Sequence, residues 1–265
     1  MITIDDKHRL EDFNMQATEE YHDSVSFPFT DNTLQVPRNN ITVLVNERAE
    51  PRMLTIPIKV RNNGHTDLES KLQAFTDLFF DDYGERKQVK VSLDHWQDKF
   101  VNAYIATNLS TDRLRGLAHL DLELICYDPY RYSGTLASEV VWGAESITFT
   151  SHYEMGNEGT PSSVNITGSG TSTIDLTVDG IAVYPKIIIE GSSEALTLSV
   201  HGETIQLPAF SNSRWEIDRF KTFKDGTETF LNARRFRLVK GRNTVRVSGN
   251  NKDFKLTITF RDMYK

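Results

Sequence analysis

Cysteine occurs once in the 265 residues, at Cys126, so no disulfide can form within the chain and no thiolate cluster is available for a metal. Cys126 alternates with Leu120, Leu122 and Leu124 along one predicted strand, where a small buried thiol packs as a hydrophobe. Long apolar runs are missing as well. The opening Met1-Ile2-Thr3-Ile4-Asp5-Asp6-Lys7-His8-Arg9 interleaves charges where a secretory signal needs an apolar stretch, and no later segment approaches the roughly 20 residues of a membrane span. Synthesis in a cytoplasm, with no membrane anchor, is the expectation. There is no excess of positive charge either: 30 Lys and Arg stand against 37 Asp and Glu, a formal charge of -7. That balance argues against general affinity for phosphate backbones, although an acidic surface can lie beside DNA and let it slide past.

Converging catalytic groups are equally scarce. The seven histidines, at 8, 22, 65, 95, 119, 152 and 201, show neither a His-x-x-x-His nor a Cys-His spacing, so no zinc site is expected. The acidic pairs Asp5-Asp6, Glu19-Glu20 and Asp81-Asp82 are sequence neighbours; a strand points such pairs to opposite faces, and Asp81-Asp82, near a helix end, is expected only to solvate it. Gly168-Ser169-Gly170-Thr171 looks like a phosphate loop but lacks the Lys-Ser/Thr ending and the following helix, so a turn between strands is expected there. The densest basic run, Arg234, Arg235, Arg237, Lys240 and Arg242 around Phe236, could contact nucleic acid. Alternation instead turns Phe236 and Leu238 inward and Arg235 and Arg237 outward, which favours a solvated strand face. The reading is a non-enzyme with no catalytic residue, cofactor or metal.

Period-two alternation is abundant. Ile41, Val43 and Val45, then Leu54, Ile56, Ile58 and Val60, read as half-buried strands, with Pro57 placing the second at a sheet edge or bulge. One helix follows, with Thr66 and Glu69 in capping-box spacing, an apolar stripe at Leu68, Leu72, Phe75, Leu78 and Phe79, and Gly84 suited to its end. Strands resume at Val89, Val91 and Leu93, at Phe100 to Thr107, and at Leu117 to Tyr127 with His119, Asp121 and Glu123 on the polar face. One wet face and one buried face suit an antiparallel sheet.

Asp128-Pro129-Tyr130-Arg131-Tyr132-Ser133-Gly134-Thr135 breaks the pattern and divides the chain into expected domains at 1–132 and 133–265. Beyond it short strands recur without helical period: Ile147-Phe149, Val164-Ile166, Ile174-Val178, Lys186-Glu190, Leu196-Val200, Thr204-Leu207, Trp215-Ile217, Phe236-Val239, Thr244-Val247 and Phe254-Phe260. Asp179-Gly180 and Asp225-Gly226 supply tight turns, and the spacing argues for a β-sandwich. The fold class expected is mainly β with one helix. Arg9 to Arg38 fits no period; either a β-hairpin arm reaching a neighbouring subunit or a loop over its own sheet would account for it.

The order Tyr184-Pro185-Lys186-Ile187-Ile188-Ile189-Glu190-Gly191, Trp215-Glu216-Ile217-Asp218, Asp225-Gly226, Phe236 to Val245, then Leu256-Thr257-Ile258-Thr259-Phe260-Arg261 resembles the C-terminal domain of the distal tail proteins of long-tailed phages. The junction Cys126-Tyr127-Asp128-Pro129-Tyr130-Arg131-Tyr132 is similar to that family's domain junction. The resemblance implies an N-terminal domain that closes into a hexameric ring at the tail tip and a galectin-like C-terminal sandwich. It also implies a virion location and, as partners, the tail tube protein, the tail-associated fibre or lysin, and in some members receptor-binding proteins. The genome would pass through an acidic lumen without specific binding. The competing function is a carbohydrate-binding module recognising host cell-wall saccharide, with Trp142, Trp215, Tyr153 and Tyr184 as stacking rings; Trp215 shares its strand face with Ile217, which favours core burial.

Overall fold

The computed structural model describes residues 2–18, 22–23, 28–36, 41–61, 65–96, 98–106, 111–114, 117–140, 144, 147, 163–219, 221–231, 233 and 236–265. The chain divides into two compact units, Met1–Arg131 with Lys265, and Tyr132–Tyr264. Both are antiparallel β structures, and the mainly β class with one α-helix holds among the described residues. Of the strand predicted at Ile147-Phe149 only Ile147 is described, its N donating to Ala144 O at 3.2 Å, and Trp142 and Tyr153 lie outside the described residues.

In the first unit the strands are β1 (Ile2–Ile4), β2 (His8–Arg9), β3 (Met15–Ala17), β4 (His22–Asp23), β5 (Phe29–Val36), β6 (Ile41–Ala49), β7 (Arg52–Arg61), β8 (Val89–Leu93), β9 (Lys99–Ile105), β10 (Thr111–Leu114) and β11 (Leu117–Cys126), with helix α1 at His65–Thr76. The sheet runs β2-β1-β8-β9-β11-β7-β3. Its spine is the pairing of β7 with β11, in register from Arg61↔Leu117 to Arg52↔Cys126. Alternation sends Leu54, Ile56, Ile58 and Val60 together with Ala118, Leu120, Leu122, Leu124 and Cys126 into the core. Leu68, Phe75 and Phe79 of the helical segment complete that core, with Leu72 and Leu78 partly buried against it. The helix passes into a 3-10 turn over Asp77–Phe79 and ends at extended Phe80, so Gly84 lies in the following loop and does not terminate it.

Pro57 is not at an edge. β11 flanks β7 on one side, and β3 and β4 flank it on the other. The Pro57 carbonyl accepts from Thr18 N at 2.9 Å on that second side, where the chain leaves β3 at Ala17↔Ile58 and rejoins as β4 at His22↔Thr55. A residue's N and C=O point the same way in a strand, so the missing donor falls on the side where the register shifts between Ala17↔Ile58 and His22↔Thr55, the bulge alternative of the sequence reading.

The second unit contains β12 (Arg131–Ser133, shared with the first), β13 (Ser163–Val178), β14 (Lys186–Ser193), β15 (Ala195–Val200), β16 (Glu203–Leu207), β17 (Phe210–Asp218), β18 (Lys221–Lys224), β19 (Thr227–Glu228), β20 (Gly241–Thr259) and β21 (Met263–Tyr264). The sequence suggests separate strands at Val164-Ile166 and Ile174-Val178, and at Thr244-Val247 and Phe254-Phe260; each pair is one long bent strand. Gly168-Ser169-Gly170-Thr171 is therefore no inter-strand turn but the bend of β13, with Gly168 and Gly170 at positive φ. From Gly168 to Gly170 β13 advances two residues, while β20 opposite covers three, from Lys252 to Gly249. The extra residue flips the buried phase of β20 from Asn243, Val245 and Val247 to Lys252, Phe254, Leu256 and Ile258. One half of β20 pairs with β15 and the other with β14, so the sheet bends into two layers. Lys252 Nζ donates to Gly170 O at 2.7 Å and braces the bend.

Two outcomes follow. Phe75→Ala removes a fully buried ring and is expected to cost about 3 to 5 kcal/mol in chemical denaturation; an unchanged midpoint would take Phe75 out of the core. Gly191 has φ +143, and a Cβ there would lie 2.3 Å from Asp253 O. Gly191→Ala should therefore destabilise the protein by more than about 1 kcal/mol in the same measurement.

Candidate assembly surfaces

β5 and β6 pair with each other and, among the described residues, with no other strand. The register runs Phe29↔Ala49 to Val36↔Ile41 and shifts at Asn32/Thr33, where Val45 is the extra residue; Asn32 Nδ2 donates to Asn46 Oδ1 at 2.6 Å beside it. The alternation of Val43 and Val45 predicts half-burial, yet Leu34, Val43, Leu44 and Val45 are 60%, 46%, 48% and 64% exposed. The period-two pattern does form strands, but among the described residues no further strand pairs with them. A two-stranded ribbon is marginal in water by itself, and apolar side chains left in solvent mark an interaction surface.

A second exposed surface is the outer face of β9-β11-β7. Tyr104, Ile125 and Met53 stand side by side across the three strands, and Tyr127 meets Tyr104 edge-on at 5.7 Å. Further along β11 the same face carries Asp121 and Glu123, with Lys59 on β7.

The loop after α1 displays Tyr83, 91% exposed. Asp81 Oδ1 accepts from Tyr83 N at 2.9 Å and Glu85 N at 2.8 Å, so Asp81 shapes the loop. Asp5 and Asp6 likewise serve a turn: Asp5 Oδ1 accepts from Lys90 N at 2.8 Å, and Asp6 pairs with Lys90 Nζ at 2.5 Å. Glu19 and Glu20 lie outside the described residues.

The other sequence candidates disperse. His8 packs on Phe13, His95 on Trp96, and His201 Nε2 lies 2.7 Å from Asn243 Oδ1, while His119 is half-buried on β11. No three His, Cys, Asp or Glu side chains gather as a metal site among the described residues, and Cys126 is buried. Phe236 and Leu238 are buried and Arg237 exposed, as alternation implies, though the segment forms a single bridge, Val183↔Leu238, in place of a strand. Arg242 is paired with Asp175 at 2.7 Å, and Arg234 and Arg235 lie outside the described residues. Trp215 is 3% exposed and belongs to the core. No helix among the described residues is long and apolar enough to cross a membrane.

On the outer face of β14 and β17, Lys186 Nζ lies 2.6 Å from Glu216 Oε1, and Arg214 Nη1 lies 3.0 Å from Glu190 Oε1. The Lys186 hydrogen bond holds the Glu216 carboxyl below its ordinary value of 4.5 against the opposing effect of desolvation, with Arg214 adding to it. A depressed folded-state pKa gives stability that is present above 4.5 and lost as pH falls through the folded value. The melting-temperature advantage of the unmutated protein over Lys186→Met should therefore shrink on acidification below pH 4.5; an advantage independent of pH would contradict the pairing.

No family model and no curated protein matches the chain. Among solved structures it matches the crystal structure of the SPP1 Dit (gp 19.1) protein, a paradigm of hub adsorption apparatus in Gram-positive infecting phages, with a TM-score of 0.66 at 11% identity, over 100% of this chain and 98% of that one. Two structures of the phage P2 baseplate in its activated conformation, with Ca and with Sr, match at TM-scores of 0.45 and 0.44 and identities of 12% and 13%, each over 93% of this chain and 90% of that one. The first gives the fold: over its whole length the chain is built as the SPP1 Dit protein is built.

Proposed function

We propose that the chain is a structural component of a phage tail, acting as the distal hub in a ring of six copies. The observation that carries this reading is the β5-β6 hairpin, an apolar two-stranded element with no further strand partner among the described residues, in a chain whose fold matches a hub protein end to end. Identical copies close into a ring when one patch meets a different patch on the next copy, and a projecting hairpin against a neighbour's sheet supplies such an unlike pair. The first unit forms the ring, and the second is a galectin-like sandwich carried by it.

In this reading one side of the ring meets the last ring of the tail tube protein, and the other meets the tail-associated fibre or lysin, with receptor-binding proteins as further partners. The protein is made in the host cytoplasm and ends in the virion tail tip. Its work is docking geometry, not catalysis. A formal charge of -7 per copy, with Asp121 and Glu123 on an open sheet face, supports a lumen that repels DNA.

Native mass spectrometry of the purified protein tests the ring: six copies are expected, and a monomer at high concentration or a different closed number would overturn it. In the same preparation a DNA fragment at low salt should remain unbound.

A further inference from the structure

The outer face of β14, β17, β18 and β19 holds a second built feature, independent of the ring. Inward-facing Ile187, Ile189, Trp215, Ile217 and Thr222 are buried, which turns Lys186, Ile188, Glu190, Arg214, Glu216 and Phe223 to the other side. Ile188, Glu216, Phe223 and Glu228 form one cross-strand row. Arg214 reaches both carboxylates, Glu190 at 3.0 Å and Glu216 at 3.7 Å, and Lys186 holds Glu216 from the opposite side at 2.6 Å. The neighbouring Asp225-Gly226 turn is tied to the same residue: Asp225 Oδ1 accepts from Arg214 N at 2.7 Å, and Asp225 N donates to Arg214 O at 2.8 Å. Arg214, Glu216, Phe223 and Gly226 line an open cleft of about 370 Å³, within the size range of small-molecule sites.

The chemistry of the cleft selects its ligand class. The charged residues of the lining are one cation, Arg214, and one carboxylate, Glu216, so the lining itself carries no net charge. Guanidinium N–H donors stand next to carboxylate acceptors, the pairing that adjacent hydroxyl groups satisfy, since each hydroxyl both donates and accepts. Phe223 places an apolar ring beside them on a face that contributes little to the fold's core. The ion pairs and the pinned turn hold these groups before any ligand arrives, which lowers the entropic cost of binding.

We propose that this cleft binds a neutral saccharide, one sugar ring packed on Phe223 and its hydroxyls held by Arg214 and Glu216. Saturation-transfer NMR on the full-length protein, with cellopentaose, maltopentaose and chitopentaose as probes, tests it; sorbitol and trigalacturonate serve as open-chain and anionic comparators. At least one neutral pentasaccharide should receive saturation, and Phe223→Ala and Glu216→Gln should each weaken it by about tenfold or more, as loss of a central anchor does. Failure of all three pentasaccharides, equal binding by Phe223→Ala, or equal competition by sorbitol or trigalacturonate would overturn the proposal. Melting curves of both variants confirm that they remain folded. Copy number measured on the same samples separates this result from the ring, which stands or falls without it.

Discussion

The antiparallel ladder between β7 and β11 is the constraint on which the first unit depends. Ten cross-strand pairs, from Arg61↔Leu117 to Arg52↔Cys126, fix which side of each strand enters the core. A slip of one residue would turn Leu54, Ile56, Ile58 and Val60 to solvent together. β9 and β10 attach along one side of this pair, and β3 and β4 along the other. The hairpin inherits its support from the same ladder, because β6 ends at Ala49 and β7 begins at Arg52. Glu50 N, between them, donates to Pro28 O at 2.9 Å at the other foot of the hairpin. The ribbon is thus rooted directly in β7, a strand paired on both sides.

The second unit solves a different problem with long strands. Two layers need corners, and here the corner is made inside β13 and β20 by glycines at positive φ, one inserted residue and a buried lysine bonded to main-chain oxygen. The layers are therefore covalently continuous. The outer face of β14, β17 and β18 carries the Lys186, Glu216, Arg214 and Glu190 ion pairs and the half-buried Phe223.

Much of this was legible from residue order, for reasons that differ by element. Buried alternation at Leu54 to Val60 and at Ala118 to Cys126, and the helical stripe at Leu68, Phe75 and Phe79, report burial directly, since a one-sided environment leaves a periodic trace. Asp225-Gly226 reads as a tight turn because both residues must take positive φ, and they do. The hairpin was only half legible: alternation at Val43 and Val45 signals a strand, but an arm awaiting a partner and a strand on its own core carry the same pattern. Gly168 to Thr171 misled because a glycine pair marks a turn and a strand bend alike, and only pairing with β20 separates the two. Pro57 was half legible for a related reason: a proline reports a missing donor, and of the two alternatives, edge and bulge, only the pairing shows that the register shifts opposite it, from Ala17↔Ile58 to His22↔Thr55.

The central claim is that the β5-β6 hairpin holds one copy to the next through its apolar side chains. Native mass spectrometry comparing the unmutated protein with Leu34→Lys/Val43→Lys tests it most directly, because both positions are exposed and neither belongs to the hydrophobic core. The account predicts six copies for the first and single, fully folded chains for the second; a double variant that still assembles into the same ring would contradict it.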